Sequence, residues 1–128
     1  MTKQSIPSSQ PYAVDLTTIS HTVNQALELR LSLPEREWTD RTTLKLRGHL
    51  ATLISDEIWS VETPQSRALI KEAHALLREA AQPTESTPPG FAYDYMRSLA
   101  LATRTTVAVY RLRQVNRSRK RRAAEGNQ

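Results

Sequence analysis

From Leu44 to Val61 the apolar residues of LKLRGHLATLISDEIWSV recur at helical spacing. At 100° per residue, Leu46, Leu50, Leu53, Ile54, Ile58 and Val61 share a stripe roughly 140° wide, which predicts an amphipathic, core-facing helix. The rest of the chain reads as helices that pack on it. Upstream, Leu16, Ile19, Val23, Ala26 and Leu27 repeat at the same period, with Asp15 placed to satisfy unpaired N–H groups at a helix start. This helix is expected to reach about Ser32 and stop before Pro34, because proline disfavours the α conformation at Leu33. The segment PEREWTD (Pro34 to Asp40) then reads as a connector, anchored by Trp38, whose Thr39 or Asp40 caps the central helix.

Thr63-Pro64 suits the start of a third helix, with Thr at the cap and Pro at the first position. Its stripe, Leu69, Ile70, Ala73, Leu76, Leu77 and Ala80, has no polar interruption and predicts core. QPTESTPPG (Gln82 to Gly90) has three prolines and no bulky apolar side chain, which predicts a surface loop. After it no helix breaker occurs from Phe91 to Gly126, so a last helix could extend about 50 Å. Two apolar stripes run along it: Phe91, Tyr95, Leu99, Ala102, Thr106, Val109 and Tyr110 on one side, and Leu101, Ala108, Leu112 and Val115 on the other. One helix with two apolar faces wants two partners. The first face closes a bundle, and the second is a candidate protein interface or, in the bland alternative, a partly exposed edge.

These elements predict an all-α fold, a single four-helix bundle with a long C-terminal helix and disordered ends. Residues 1–12 form the disordered arm, 13–115 the bundle and 116–128 a basic extension. Only 3 glycines and 5% aromatics in 128 residues agree with helix over a turn-rich β fold. The charge of +5 sharpens the picture, because it is not spread evenly. Residues 1–94 carry 9 Lys/Arg against 12 Asp/Glu, whereas residues 95–128 carry 9 against 1. Arg111, Arg113, Arg117, Arg119, Lys120, Arg121 and Arg122 are therefore candidate contacts for a polyanion such as nucleic acid, bound through phosphates with release of counterions. A solubilising tail with favourable charge at a helix C-terminus is the bland alternative.

Other chemistry finds little footing. The chain has no cysteine, which excludes disulfides, thiolate metal sites and cysteine nucleophiles. His21, His49 and His74 have no ligand partners at metal spacing, and Glu72 with His74 is an i, i+2 pair pointing in different directions. No G-x-S-x-G, phosphate loop or dinucleotide fingerprint occurs. No enzyme activity, cofactor, metal or small-molecule substrate is expected. With neither a spanning apolar run nor a secretory leader, no membrane role is expected and the location is read as cytoplasmic. Two charges do interrupt the central stripe: Glu57 near its centre and Arg47 between Ile54 and Ile58. Arg104 on the last helix is their natural partner, so Arg47, Glu57 and Arg104 are expected to form a buried ion pair, with a carboxylate-ligand site as the sharper alternative.

With the helices placed, the run Leu46-Arg47-Gly48-His49-Leu50, followed by Leu53-Ile54, an acidic pair, Glu72-Ala73, and Arg97, Leu99, Ala100 and Arg104, resembles a family of small actinobacterial helical proteins labelled "natural product biosynthesis protein". The likeness spans roughly Thr43 to Tyr110. Ser55 stands where that pattern usually has a proline, the third helix lacks its small, Cys-containing run, and the long basic tail is an addition. The resemblance implies a bacterial cytoplasmic origin and an accessory role. The expected function is a non-enzymatic interaction protein that packs on itself or on a protein partner through the last helix. The alternative is a nucleic-acid-associated protein that uses its basic extension.

Overall fold

The computed structural model describes residues 14–126; the arm expected at residues 1–12 lies outside them. Among the described residues there are four α-helices and no strand: α1 (Leu16–Ala26), α2 (Arg36–Ile54), α3 (Pro64–Leu77) and α4 (Pro89–Gly126). Short 3-10 turns follow α2 (Glu57–Ser60) and α3 (Glu79–Ala81). Helices α2 and α4 form the central pair, and α1 and α3 each pack against both.

The core lies along the α2–α4 contact. Leu46, Leu50 and Leu53 of α2 are fully buried, against Met96, Leu99, Ala100 and Thr103 of α4 and Ile19, Val23 and Ala26 of α1. Burying each leucine contributes about 1.5–3 kcal/mol. The side of α4 facing the core is partly made of small residues, and its threonines need no external partner. Thr103 and Thr106 donate to the carbonyls of Leu99 and Ala102 one turn earlier, each at 2.7 Å.

Several element ends differ from the periodicity. α1 stops at Ala26, well before Pro34. Beyond Leu27 the leucines fall at every second position, so they cannot continue a helical stripe, and Leu29, Leu31 and Leu33 are exposed. α2 begins at Arg36 inside the expected connector. Its cap is Glu35 without a side-chain hydrogen bond, and Thr39 is buried rather than capping. Arg36 also fixes the loop before α4, donating to Thr87 O at 2.7 Å and Thr84 O at 2.8 Å. Trp38 packs on the core as expected, with the Arg30 guanidinium 4.2 Å from its ring centre.

α2 ends at Ile54, seven residues short of Val61. Ser55 Oγ donates to Ala51 O at 2.7 Å, and Trp59 Nε1 donates at 2.8 Å to Leu53 O, which also accepts from Asp56 N at 3.3 Å, so both side chains bond carbonyls of the last turn. The chain folds back through the 3-10 turn, which buries Ile58 and Trp59 and leaves Val61 exposed. α3 starts where expected, at a capping box: Ser66 N donates to Thr63 Oγ1 at 3.0 Å while Thr63 N donates to Ser66 Oγ at 2.9 Å. Its stripe is shallower than expected; Ala73 is buried, Leu69, Ile70, Leu76 and Leu77 are half-buried, and Ala80 is exposed. On α4, Phe91 is exposed and Ala92 and Met96 take its place in the core.

Candidate interaction surfaces on the last helix

Helix α4 is 38 residues long, about 57 Å at 1.5 Å per residue. Its last buried residue is Tyr110, and from Gln114 to Gly126, a stretch of about 20 Å, every residue is exposed. Along the packed part, the side turned away from α2 carries the second stripe. Leu101, Leu112 and Val115 are 42%, 62% and 46% exposed, and Ala108 is exposed with them. Leu101, Ala108 and Val115 are seven residues apart, so they stay in line down the helix. Arg104 and Arg111 border this seam on the α1 side, where with Ser20, Asn24, Val23 and Ala108 they line a shallow groove of about 180 Å³. Exposed apolar surface also occurs where spacing gave no hint of it, on Leu29 and Leu31 of the α1–α2 connection.

The basic residues are not equivalent. Arg111, Arg117, Arg119, Lys120, Arg121 and Arg122 are exposed. Arg113 departs from the solvated block expected of it. Its Nη1 donates to Val61 O at 2.7 Å and Ile58 O at 3.0 Å, and its guanidinium carbon lies 5.1 Å from the centre of the Trp59 ring. Trp59 meets Tyr110 edge to face, ring centres 6.2 Å apart. The Tyr110 hydroxyl donates to Asp56 Oδ2 at 3.0 Å. Burial first, and then the Asp56 carboxylate, push the phenol up to about 12. Asp56 also accepts from Ile58 N at 2.8 Å. This node ties the 3-10 turn to α4 and was not legible in the sequence, because its members lie some fifty residues apart and on no common stripe.

The expected ion pair of Arg47, Glu57 and Arg104 does not form. Once α2 stops at Ile54, the helical projection no longer applies to Glu57, which sits in the 3-10 turn and is exposed; Arg104 is exposed on the outer side of α4. Arg47 is half-buried and structural: it donates to Tyr95 Oη at 3.1 Å and to Leu77 O at 3.2 Å, while the Tyr95 hydroxyl donates to Leu76 O. The two side chains satisfy carbonyls at the C-terminus of α3. Beside Arg47, the buried Thr43 hydroxyl has no protein partner and borders a pocket of about 170 Å³ with Asp40, Gln82 and Pro83, ample for a water.

His49 Nε2 lies 3.2 Å from Thr22 Oγ1, bridging α2 to α1, and burial followed by the nearby Lys45 charge holds its pKa below the ordinary value. His21 and His74 are exposed. Among the described residues no three His, Cys, Asp or Glu side chains converge as a metal site would need, and no helix is long and apolar enough to cross a membrane.

A family model described as "Family of unknown function (DUF6415)" matches residues 17–115, from the start of α1 to the end of the seam on α4. No curated protein and no solved structure matches the chain.

Proposed function

The chain belongs to the DUF6415 family of unknown function, and from that premise we propose that it is a non-enzymatic docking protein whose bundle presents the outer face of α4 to a protein partner. One observation carries this reading: Leu101, Ala108, Leu112 and Val115 lie exposed along one stripe on the helix side opposite its own core, interrupted only by Arg104 and Thr105 between the first two. Leaving a seam of this kind in water forgoes its burial energy, about 25 cal/mol per Å² of apolar area. The arginines select the partner. Two copies meeting along this face would bring Arg104, Arg111 and Arg119 of each against those of the other, and like charges so placed oppose association. An amphipathic helix of another protein, apolar in its centre and acidic at its edges, complements the face. The resemblance carried by Leu46 to Leu50 supports an accessory role of this kind in the cytoplasm of an actinobacterium making natural products.

Leu112→Glu should leave the helical spectrum and the urea midpoint of the full chain unchanged while abolishing association with the partner that wild type captures. A wild type that captures nothing, or a variant that captures the same partner equally well, contradicts the proposal.

A second reading is favoured by the free end of α4, where Arg117, Arg119, Lys120, Arg121 and Arg122 are all exposed. These cations support sequence-independent contact with nucleic-acid phosphates. It predicts that random duplex DNA binds the full chain but not a version ending at Gln114, and that affinity falls steeply between about 50 and 300 mM salt.

A further inference from the structure

Where α4 leaves the bundle it passes the 3-10 turn and the start of α3, and the three elements enclose an open groove of about 390 Å³. Arg113, Asn116, Arg117 and Lys120 line it from α4, and Ser60 and Val61 from the opposite wall; no lining residue is acidic. On a helix, positions 113, 117 and 120 share one face, so three cationic side chains point at one space. In no ion pair of the described residues is any of the three engaged. Of the nearby carboxylates, Asp56 accepts from Tyr110 and Ile58 N, Glu62 pairs with Arg67 at 3.2 Å, and Glu57, exposed in the same 3-10 turn, is not among the residues that line the groove. At the start of α3 the Thr63 capping box already holds the N–H groups of Thr63 and Ser66.

Arg113 distinguishes this cluster from an ordinary charged surface. It is half-buried, fixed by two carbonyls and by Trp59, and those partners neutralise none of its charge. Its Nε–H is not engaged in any of these bonds. A pinned guanidinium with two mobile cations one and two turns further on is a preorganised anion receptor: its immobilisation entropy is met by folding, and Arg117 and Lys120 can close over a bound group. Asn116 and Ser60 add neutral donors at the rim.

We propose that this groove binds a phosphate group, through Arg113 at its base and Arg117 and Lys120 at its mouth. The group is a phosphomonoester, a free phosphate or one phosphodiester of a nucleic-acid backbone; the last case rests on the second reading above, the others do not. The site lies roughly 140° round α4 from the docking seam, so both can be occupied at once.

The test is titration of the isotopically labelled full chain with inorganic phosphate and, separately, with a short random DNA duplex, following the Trp59 indole N–H resonance in a Trp38→Phe background. Trp59 does not line the groove but lies under Arg113, 5.1 Å from its guanidinium carbon, and reports on the groove through that side chain. Saturable shifts are expected with phosphate. The double variant Arg117→Gln/Lys120→Gln should weaken binding at least tenfold, whereas Arg119→Gln/Arg122→Gln, with the same loss of charge on another side of the helix, should change it less than twofold. Both variant pairs lie in the exposed part of the helix and should fold. A duplex that binds no tighter than phosphate points to a small phosphorylated ligand and removes the nucleic-acid reading alone; a much tighter duplex points to the backbone. Equal loss in the two double variants reveals only a diffuse field and overturns the groove. Absence of Trp59 shifts with both probes overturns it too.

Discussion

Arg113 shows how much one residue's neighbours decide. In sequence it is the second of seven basic positions; in the fold it joins α4 to the turn after α2 and lies over Trp59. Arg113→Ala is expected to lower stability by about 2 kcal/mol, the scale of hydrogen bonds to a charged group, whereas Arg119→Ala should stay within about 0.5 kcal/mol. Urea denaturation of the two variants checks the contrast. His49 gives a pH-dependent counterpart. Because burial lowers its folded pKa, the unfolded chain takes up this proton more readily, so stability present above 6.5 is lost as pH falls through and below that value. Thermal melts of wild type should show this acid limb and those of His49→Gln should be flatter there; identical profiles would remove the assignment. Asp15, held below its ordinary value chiefly by the Thr18 hydroxyl, acts only at lower pH, where its stabilising contribution is lost as it protonates.

At the scale of elements, local chemistry was legible and tertiary choice was not. Thr63-Pro64 marked the start of α3 because a cap residue and a first-turn proline stand side by side in the sequence, and the structure adds the capping box with Ser66. The start of α2 was not, because Glu35 makes no side-chain cap and the first turn is held by Arg36 on a loop nearly fifty residues away. The apolar run Ile54 to Val61 looked helical, yet the fold gains more by turning at Ser55, which places the Trp59 indole on the last turn of α2. That turn moved Glu57 off the stripe and removed the expected ion pair with it. The outer stripe of α4, by contrast, was legible from spacing alone, since nothing in the bundle competes for it. Two changes probe the helices themselves. Gly48 sits inside α2 with open space where a Cβ would be, so Gly48→Ala should raise stability by about 0.5–1 kcal/mol. Thr63→Ala should lower it by about 1 kcal/mol through loss of the cap. Chemical denaturation reads both signs, and a destabilising Gly48→Ala would mean that this side of α2 is occupied in solution.

Taken whole, the molecule is a bundle that holds one end of a long helix and displays the rest. Its net positive charge is concentrated on that displayed part, which offers an apolar seam on one side, a cationic groove on another and a basic tip. With arginines along the seam, purified protein is expected to sediment as a monomer, and a stable dimer lost in Leu112→Glu would replace the foreign partner with a second copy. The most direct measurement places a photo-crosslinking amino acid at position 112 of the full chain, and at exposed position 71 on α3 as a control, in the protein's native cells. The account predicts one discrete crosslinked protein from position 112 and none from 71. No adduct at 112, or the same adducts from both positions, would contradict the claim that the outer face of α4 is a docking surface.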